Sequence, residues 1–458
     1  MTTAPAADPA ANIASPLQFK VGELLDGLGK RRASYWPPIL LGLVMLFDSW
    51  DAVAIAYGLP SIAKEWGLKP AAMGALISSG YIGQFIGAIV ISAVAERLGR
   101  MPVILTCVAV MGVLALGSAF APDQAILMAV RFAQGLAIGG ALPVCVTYIN
   151  ELAPSATRGR YFSIFQFLYL TGFATASLAS TVIVPQLGWR WLLGAGGTPL
   201  LLLPLVIATL PESPRWLATT GRTSKLPAAL ARLGCSLPAA DLPAGDIAPH
   251  MRPARIPVSS LFTARYRWLT ITLIVQWFLT MFVNLGMTTW IPSIFVTVYK
   301  IPLASSLLYA AIASTGFKIM IPFIALFIDR YGRRPLPIIG CLLGALILFA
   351  LALADVRDVN LLVPIVITGM LCCNIGSFMV WPYSAEVYPT HIRAVGLGLC
   401  SATARAATTL TPLFVGLVLG AGGTINLVYG AFGLFSLISC LLWIFATPET
   451  AGRRLETI

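Results

Sequence analysis

Twelve apolar segments, separated mostly by short polar connections, fix most of what this chain can become. They lie near residues 37–59, 72–94, 102–121, 125–149, 161–184, 191–210, 268–294, 304–328, 336–354, 360–384, 394–420 and 424–446. Each is close to the roughly 20 residues a helix needs to cross a hydrocarbon core about 30 Å thick. Inside lipid every backbone N–H and C=O has to be satisfied within the segment, which leaves the helix as the spanning form. The expectation is an all-α polytopic membrane protein. Composition agrees: 10% of the 458 residues are charged and 58% hydrophobic, against about 25% charged in an average soluble domain.

With twelve spans both termini fall on one side, and the basic residues say which. Of 30 Lys and Arg, 22 lie on the terminal side, 5 on the other and 3 inside spans. By the positive-inside rule both termini are then cytoplasmic. In a plasma membrane, and a bacterial inner membrane in particular, topology and anionic lipid account for the net charge of +12, and no nucleic acid is needed. Residues 1–35 are polar and then basic, without the apolar core and cleavage site of a secretory signal, and read as a cytoplasmic tail. His250 and His391 both sit in loops, which argues against a histidine proton relay, and the eight cysteines form no paired metal-ligand spacing.

The chain also repeats itself. ERLGR (Glu96 to Arg100) after span two returns as DRYGRR (Asp329 to Arg334) after span eight, 233 residues on. ELAPSATR and EVYPTHIR, beginning at Glu151 and Glu386, are 235 apart, and PESPRWL and PETAGRRL, beginning at Pro211 and Pro448, are 237 apart. Three ordered pairs at nearly one offset indicate a duplicated six-helix unit. The parallel repeats of a two-lobed secondary transporter have this form, with the substrate site between the lobes near the midplane. The expected organisation is a tail (1–35), an N-terminal six-helix lobe (36–210), a cytoplasmic linker (211–267) that is Pro/Ala/Arg-rich with some amphipathic helix on the membrane, a C-terminal six-helix lobe (268–446) related to the first by pseudo-twofold symmetry, and a tail (447–458).

DRYGRR resembles the loop signature of the major facilitator superfamily, and ERLGR is a degenerate copy; the opening Gly of the signature is Ser92 in one copy and Ala325 in the other. The stretch LFDSWDAVAIAYGLPSIAKEWGL is similar to the first-helix signature of the aromatic acid:proton symporter family, carried here by Asp48, Asp51 and Pro60, with Ser49-Trp50 replacing its Gly-Phe. GLAIGGALPVCVTYINELAPSATRGR and PESPRWL also resemble that family, and PETAGRRLE leans towards animal organic-ion transporters. The resemblance implies a gate built from Glu96, Arg97, Arg100, Arg131, Glu151, Arg158, Asp329, Arg330, Arg333, Arg334, Glu386 and Arg393. Physically, carboxylates and guanidiniums at helix ends can pair in one conformation and release in another; the alternative is that each Arg is only a topology anchor.

Two acids stand well inside a span: Asp48 and Asp51. An ionised carboxylate there costs about 2.5–3.5 kcal/mol on insertion scales, so such residues usually face a cavity and mark an ion path. A spacing of three puts both on one face, and two close carboxylates in a poorly hydrated cavity cannot both ionise cheaply. Proton coupling is the functional reading; a hydrogen-bonded buried Asp, or a pair with Arg131, is the structural one. Lys318 in span eight and Arg405 in span eleven have no acid within helical reach in their own spans. Spans two, five, eight and eleven face one another in two-lobed transporters, so both should project into the cavity and favour an anionic substrate, with Arg offering a planar fork to a carboxylate. The alternative is a structural bridge to Asp48 or Asp51.

Further candidates for substrate contact are Tyr81, Gln84, Tyr169, Trp277, Asn284, Phe378 and Trp381, with lipid exposure or core packing as the alternative for each. The expectation is proton-coupled uptake of an organic, aromatic carboxylate by alternating access, by a monomer with no cofactor and H+ as coupling ion. An anion exchanger or exporter without proton coupling, and a non-transporting receptor of the same fold, stay open. No nucleophile–base set, metal cluster or phosphate loop stands out to suggest an enzyme.

Overall fold

A computed structural model of the chain describes residues 16–28, 35–235, 237, 257–354 and 356–449. Among these, twelve segments are long and apolar enough to cross a membrane. The first six are α2 (Trp36–Trp66), α3 (Pro70–Leu98), α4 (Arg100–Ala119), α5 (Gln124–Leu152), α6 (Arg158–Leu187) and the pair α7 (Trp189–Gly194) and α8 (Pro199–Thr209), which a 3-10 turn at Ala195–Gly197 joins into one span. The second six are α11 (Arg267–Thr297), α12 (Leu303–Tyr331), α13 (Pro335–Leu353), α14 (Val359–Val387), α15 (Thr390–Gly420) and α16 (Ile425–Phe445). The helices start and stop where the sequence dictates: proline opens α3 and α13, where its missing N–H is not needed, and Gly67 closes α2 in the left-handed region.

Each lobe repeats the same packing, α2 on α6 and α11 on α15, α4 on α5 and α13 on α14. Small residues set the closest approach in the first lobe. A Cβ on Gly135 would stand 2.2 Å from Gly80 O and one on Gly139 2.1 Å from Gln84 O, so α3 and α5 meet backbone to backbone. Among the described residues the equivalent pair in the second lobe, α12 and α14, makes a slighter contact.

The apolar cores show how the lobes sit. One core joins both lobes, running from Tyr57, Ile77 and Trp189 to Phe282, Trp290 and Val415. It fills the end of the bundle away from the termini, called outer. At the inner end the lobes have separate cores, one around Met45, Ile104 and Tyr148, the other around Leu273, Tyr383 and Trp443. Among the described residues the direct lobe-to-lobe hydrogen bonds lie on the outer side of the midplane: Tyr57 Oη with Ser314 Oγ at 3.1 Å, and Ser78 Oγ donating to Thr409 O at 2.9 Å. There α3 and α15 meet so closely that a Cβ on Gly74 would stand 2.4 Å from Pro412 O. The conformation is closed outside and split inside.

Part of the segment read as a polar tail is folded. Helix α1 (Pro16–Leu28) buries Val21 and Leu25 against Trp216 and Leu217 of α9 (Pro214–Thr220) and Leu226 and Leu230 of α10 (Leu226–Arg232). Leu17, Val21 and Leu25 recur every fourth residue, one face of a helix, and that face gives the linker helices a protein partner. Asp26 accepts from the Ser155 backbone N–H at 2.7 Å and bonds its hydroxyl at 2.8 Å, tying α1 to the corner between α5 and α6.

Candidate functional site

At the inner ends the duplicated motifs build the same device twice. Gly99 has φ +115°, and a Cβ there would stand 2.2 Å from Glu212 Oε2; Gly332 has φ +94° and the same relation to Glu449 at 2.9 Å. The missing side chains admit the two carboxylates to the start of the following helix. Glu212 accepts from the N–H groups of Arg100, Met101 and Ser213, and Glu449 from those of Arg333 and Arg334, so each neutralises a helix N-terminus. The guanidinium of Arg100 then reaches Glu151 at 3.0 Å and Glu96 at 2.9 Å, and that of Arg333 reaches Glu386 at 3.1 Å. Tyr148 Oη donates to Pro211 O and Tyr383 Oη to Pro448 O, a further repeated pair.

These ion pairs lie within a lobe. Arg334 caps the end of α16 through the carbonyls of Trp443 and Ile444, and Arg393 donates to Tyr388 O. Arg97 and Arg158 are exposed. The side chains of Asp329 and Arg330 lie outside the described residues.

Near the midplane the two buried aspartates part company. Arg131 is 4% exposed, and its Nη1 donates to Asp51 Oδ2 at 2.7 Å while Nη2 donates to Asp51 O at 3.1 Å. Gln134 accepts from the same Nη1 at 3.1 Å. The break in the sixth span lies against this pair, because a Cβ on Gly196 would sit 3.3 Å from Asp51 Oδ1. Asp51 is therefore half of an ion pair between α2 and α5.

Asp48 is 2% exposed, and its Oδ1 is buried with no hydrogen-bond partner among the described residues. It lies within electrostatic range of Asp51 on its own helix, Cys107 of α4, Cys145 of α5, Tyr169 of α6 and Arg405 of α15. Ser49 donates to Tyr169 O, and Gly172 lets α6 press on the backbone of Leu46, so the Leu46 and Ser49 face of α2 lies along α6. Trp50 donates to Leu192 O at 3.1 Å on the opposite side.

The cations of the second lobe sit just inside the outer closure. Lys318 is one helical turn inward of Ser314, and Arg405 one turn inward of Thr409, the residues that bond across to the first lobe. Neither makes the structural bridge to an aspartate. Lys318 Nζ is buried with no hydrogen-bond partner among the described residues. Arg405 lies within electrostatic range of Asp48 and Tyr169.

Other candidates divide. Tyr169 joins Asp48 and Arg405, and stacks edge-on against Phe173. Asn284 is half-buried in mid-α11 and donates to Asn374 of α14, a residue in plain view in span ten that the sequence reading passed over. Gln84 and Phe378 are half-buried, and Trp381 is 54% exposed. Two further candidates are buried in this conformation. Trp277 is 1% exposed in the inner core of the second lobe, donating to Ser384 and stacked on Trp381. Tyr81 is buried in the shared outer core with its hydroxyl committed to Ala52 O.

Residues 53–458 match the family model described as sugar (and other) transporter. The chain is 28% identical over 425 residues to the niacin transporter NiaP of Acinetobacter baylyi, covering 92% of this chain and 95% of that one. It is 29% identical over 407 residues to the gallate transporter of Pseudomonas putida, covering 88% and 89%. Among solved structures it resembles the D-xylose-proton symporter, with TM-score 0.71 at 20% identity over 91% of this chain and 98% of that one.

Proposed function

Because the chain belongs to the sugar (and other) transporter family of the major facilitator superfamily, a group of membrane carriers for small organic molecules, we propose that it is a proton-coupled importer of an aromatic carboxylate. The reading rests on Asp48 and Arg405, buried groups of opposite lobes that lie within electrostatic range of each other, with no hydrogen bond or ion pair between them among the described residues. The names of two relatives support it, since niacin and gallate are both aromatic acids. The membrane is a bacterial inner membrane with both termini cytoplasmic, in line with the basic residues and with bacterial relatives.

In the empty carrier Asp48 is the counter-charge of Arg405. A substrate carboxylate docking on the guanidinium, where two N–H groups can reach both oxygens, takes that counter-charge away. Asp48 is then a buried carboxylate beside ionised Asp51 with nothing to offset it, a state worth several kcal/mol against, and it binds a proton. Anion and proton thus favour the same state, and linkage makes the effect reciprocal. Asp51 stays with Arg131 and holds α2 to α5 while the lobes rock.

The test is uptake by proteoliposomes of labelled benzoate, hydroxybenzoates, nicotinate, gallate, an aliphatic dicarboxylate, a cation and a sugar, with and without an inward proton gradient. Gradient-driven accumulation of an aromatic acid is the expected result. Flux that follows internal anion and ignores the gradient would make the protein an exchanger, and binding without flux a receptor.

A further inference from the structure

Closing the outer side buries a positive charge without giving it a partner. Ser314 hydrogen-bonds Tyr57 of the first lobe at 3.1 Å, and Lys318 follows it by four residues on α12. Residues four apart stand one above the other on the same face of a helix. Lys318 therefore lies on the face that α12 turns to the first lobe, one turn inward of that bond, and α6 of the first lobe packs along α12. There the ammonium is buried, with no hydrogen bond and no ion pair among the described residues. Arg405 holds the matching place on α15, four residues from Thr409, whose carbonyl accepts from Ser78 of the first lobe. Its charge is treated differently, because Asp48 of the first lobe lies within electrostatic range.

An ammonium taken out of water without a partner costs more than a neutral hydrogen bond returns. The cost at Lys318 exists only while the outer ends of the lobes are together. Parting α12 from α6 on that side gives Nζ back to water and removes it. We propose that Lys318 acts as a spring against outer closure: its charge pushes the empty protein from the outer-closed conformation towards an outer-open one. For an importer that is the direction of reset, since a carrier that has released its cargo inside has to present its site outside again. The push itself concerns the protein without substrate and does not rest on the symporter reading.

The experiment measures the outer opening of the full chain in lipid nanodiscs, without substrate, from distances between spin labels at Lys69→Cys and Ala304→Cys, exposed positions at the outer ends of the two lobes. The two native cysteines that are not buried, Cys235 and Cys372, are first replaced by serine and alanine. Lys318→Met and Lys318→Gln remove the charge with one apolar and one polar side chain, and each should raise the ratio of closed to open populations at least about 10-fold. Lys318→Arg keeps the charge and should leave the ratio near that of the parent protein. If Lys318→Met fails to fold, Lys318→Gln carries the test. A neutral variant whose ratio is unchanged, or moves towards open, would overturn the inference. So would Lys318→Arg moving with the neutral variants, which would assign the effect to side-chain shape. Uptake plays no part in the readout, so failure of the symporter reading leaves this test intact.

Discussion

The inner ends of the two lobes are near copies, and their middles are not. At the inner ends a Gly–Glu cap, an Arg–Glu pair and a Tyr–Pro hydrogen bond appear in each lobe. At the midplane the first lobe holds both acids and a closed ion pair, and the second holds two cations with no ion partner among the described residues. Packing follows the same division: α3 and α5 touch through glycine, whereas α12, which carries Lys318, makes slighter contact with α14. Features shared by both lobes serve the movement they share, and features held by one lobe serve what passes between them.

The strongest challenge to this division is Arg131→Met. It leaves Asp51 buried without its partner, a change that costs about 3–5 kcal/mol, and should abolish uptake and lower the thermal midpoint of the purified protein; Asp51→Asn with Arg131→Met should recover much of the midpoint. A midpoint unchanged in the single variant would show that the pair is not structural. Arg405→Ala should behave oppositely, weakening anion affinity about 10-fold to 100-fold, the loss of a charge-assisted bond of roughly 1.5–3 kcal/mol, with little loss of stability. Binding measured by displacement of labelled nicotinate checks it, and an unaltered affinity would remove the anion site from the second lobe.

The inner ends should respond in parallel. Gly99→Ala and Gly332→Ala each force a Cβ into a left-handed backbone and towards a carboxylate, and should destabilise by about 1–3 kcal/mol. The first should cost more, since its Cβ would meet Glu212 at 2.2 Å against 2.9 Å for Glu449. Equal midpoints in both variants and wild type would break the claimed duplication. The smallest effect concerns α1. The Ser155 N–H, above all, holds the Asp26 carboxyl below its ordinary value of 3.8. A folded value below the unfolded one gives a contribution that is complete above that ordinary value and fades as pH falls through the folded one. Proteolysis near residue 28 should therefore be slow at neutral pH, faster in Asp26→Asn, and no longer different between the two under strong acid.

Apolar length made all twelve crossings legible, and the three repeated motifs made the doubling legible, because both are properties of the chain read along its length. The parting of Asp48 from Asp51 was not. A spacing of three puts two residues on one face of a helix but some 60° apart, and only the neighbours decide that Asp51 pairs with Arg131 while Asp48 Oδ1 has no hydrogen-bond partner among the described residues. The burial of Trp277 was hidden for a related reason: nothing in span seven says which side of α11 turns to the core. Helix α1 was hidden by its surroundings of Ala and Pro, although Leu17, Val21 and Leu25 already marked its buried stripe.

So long as the outer side stays closed, the close meeting of α3 and α15 at Gly74, Pro412 and Gly416 would serve as a fulcrum near one end of the molecule. Helices of about 30 residues are roughly 45 Å long, so a tilt of about 10° around such a point displaces the far ends by some 7 Å and the near ends hardly at all. Most of the travel would then belong to the inner side. A small adjustment among a few residues at the fulcrum is enough to swing the doorway at the other end.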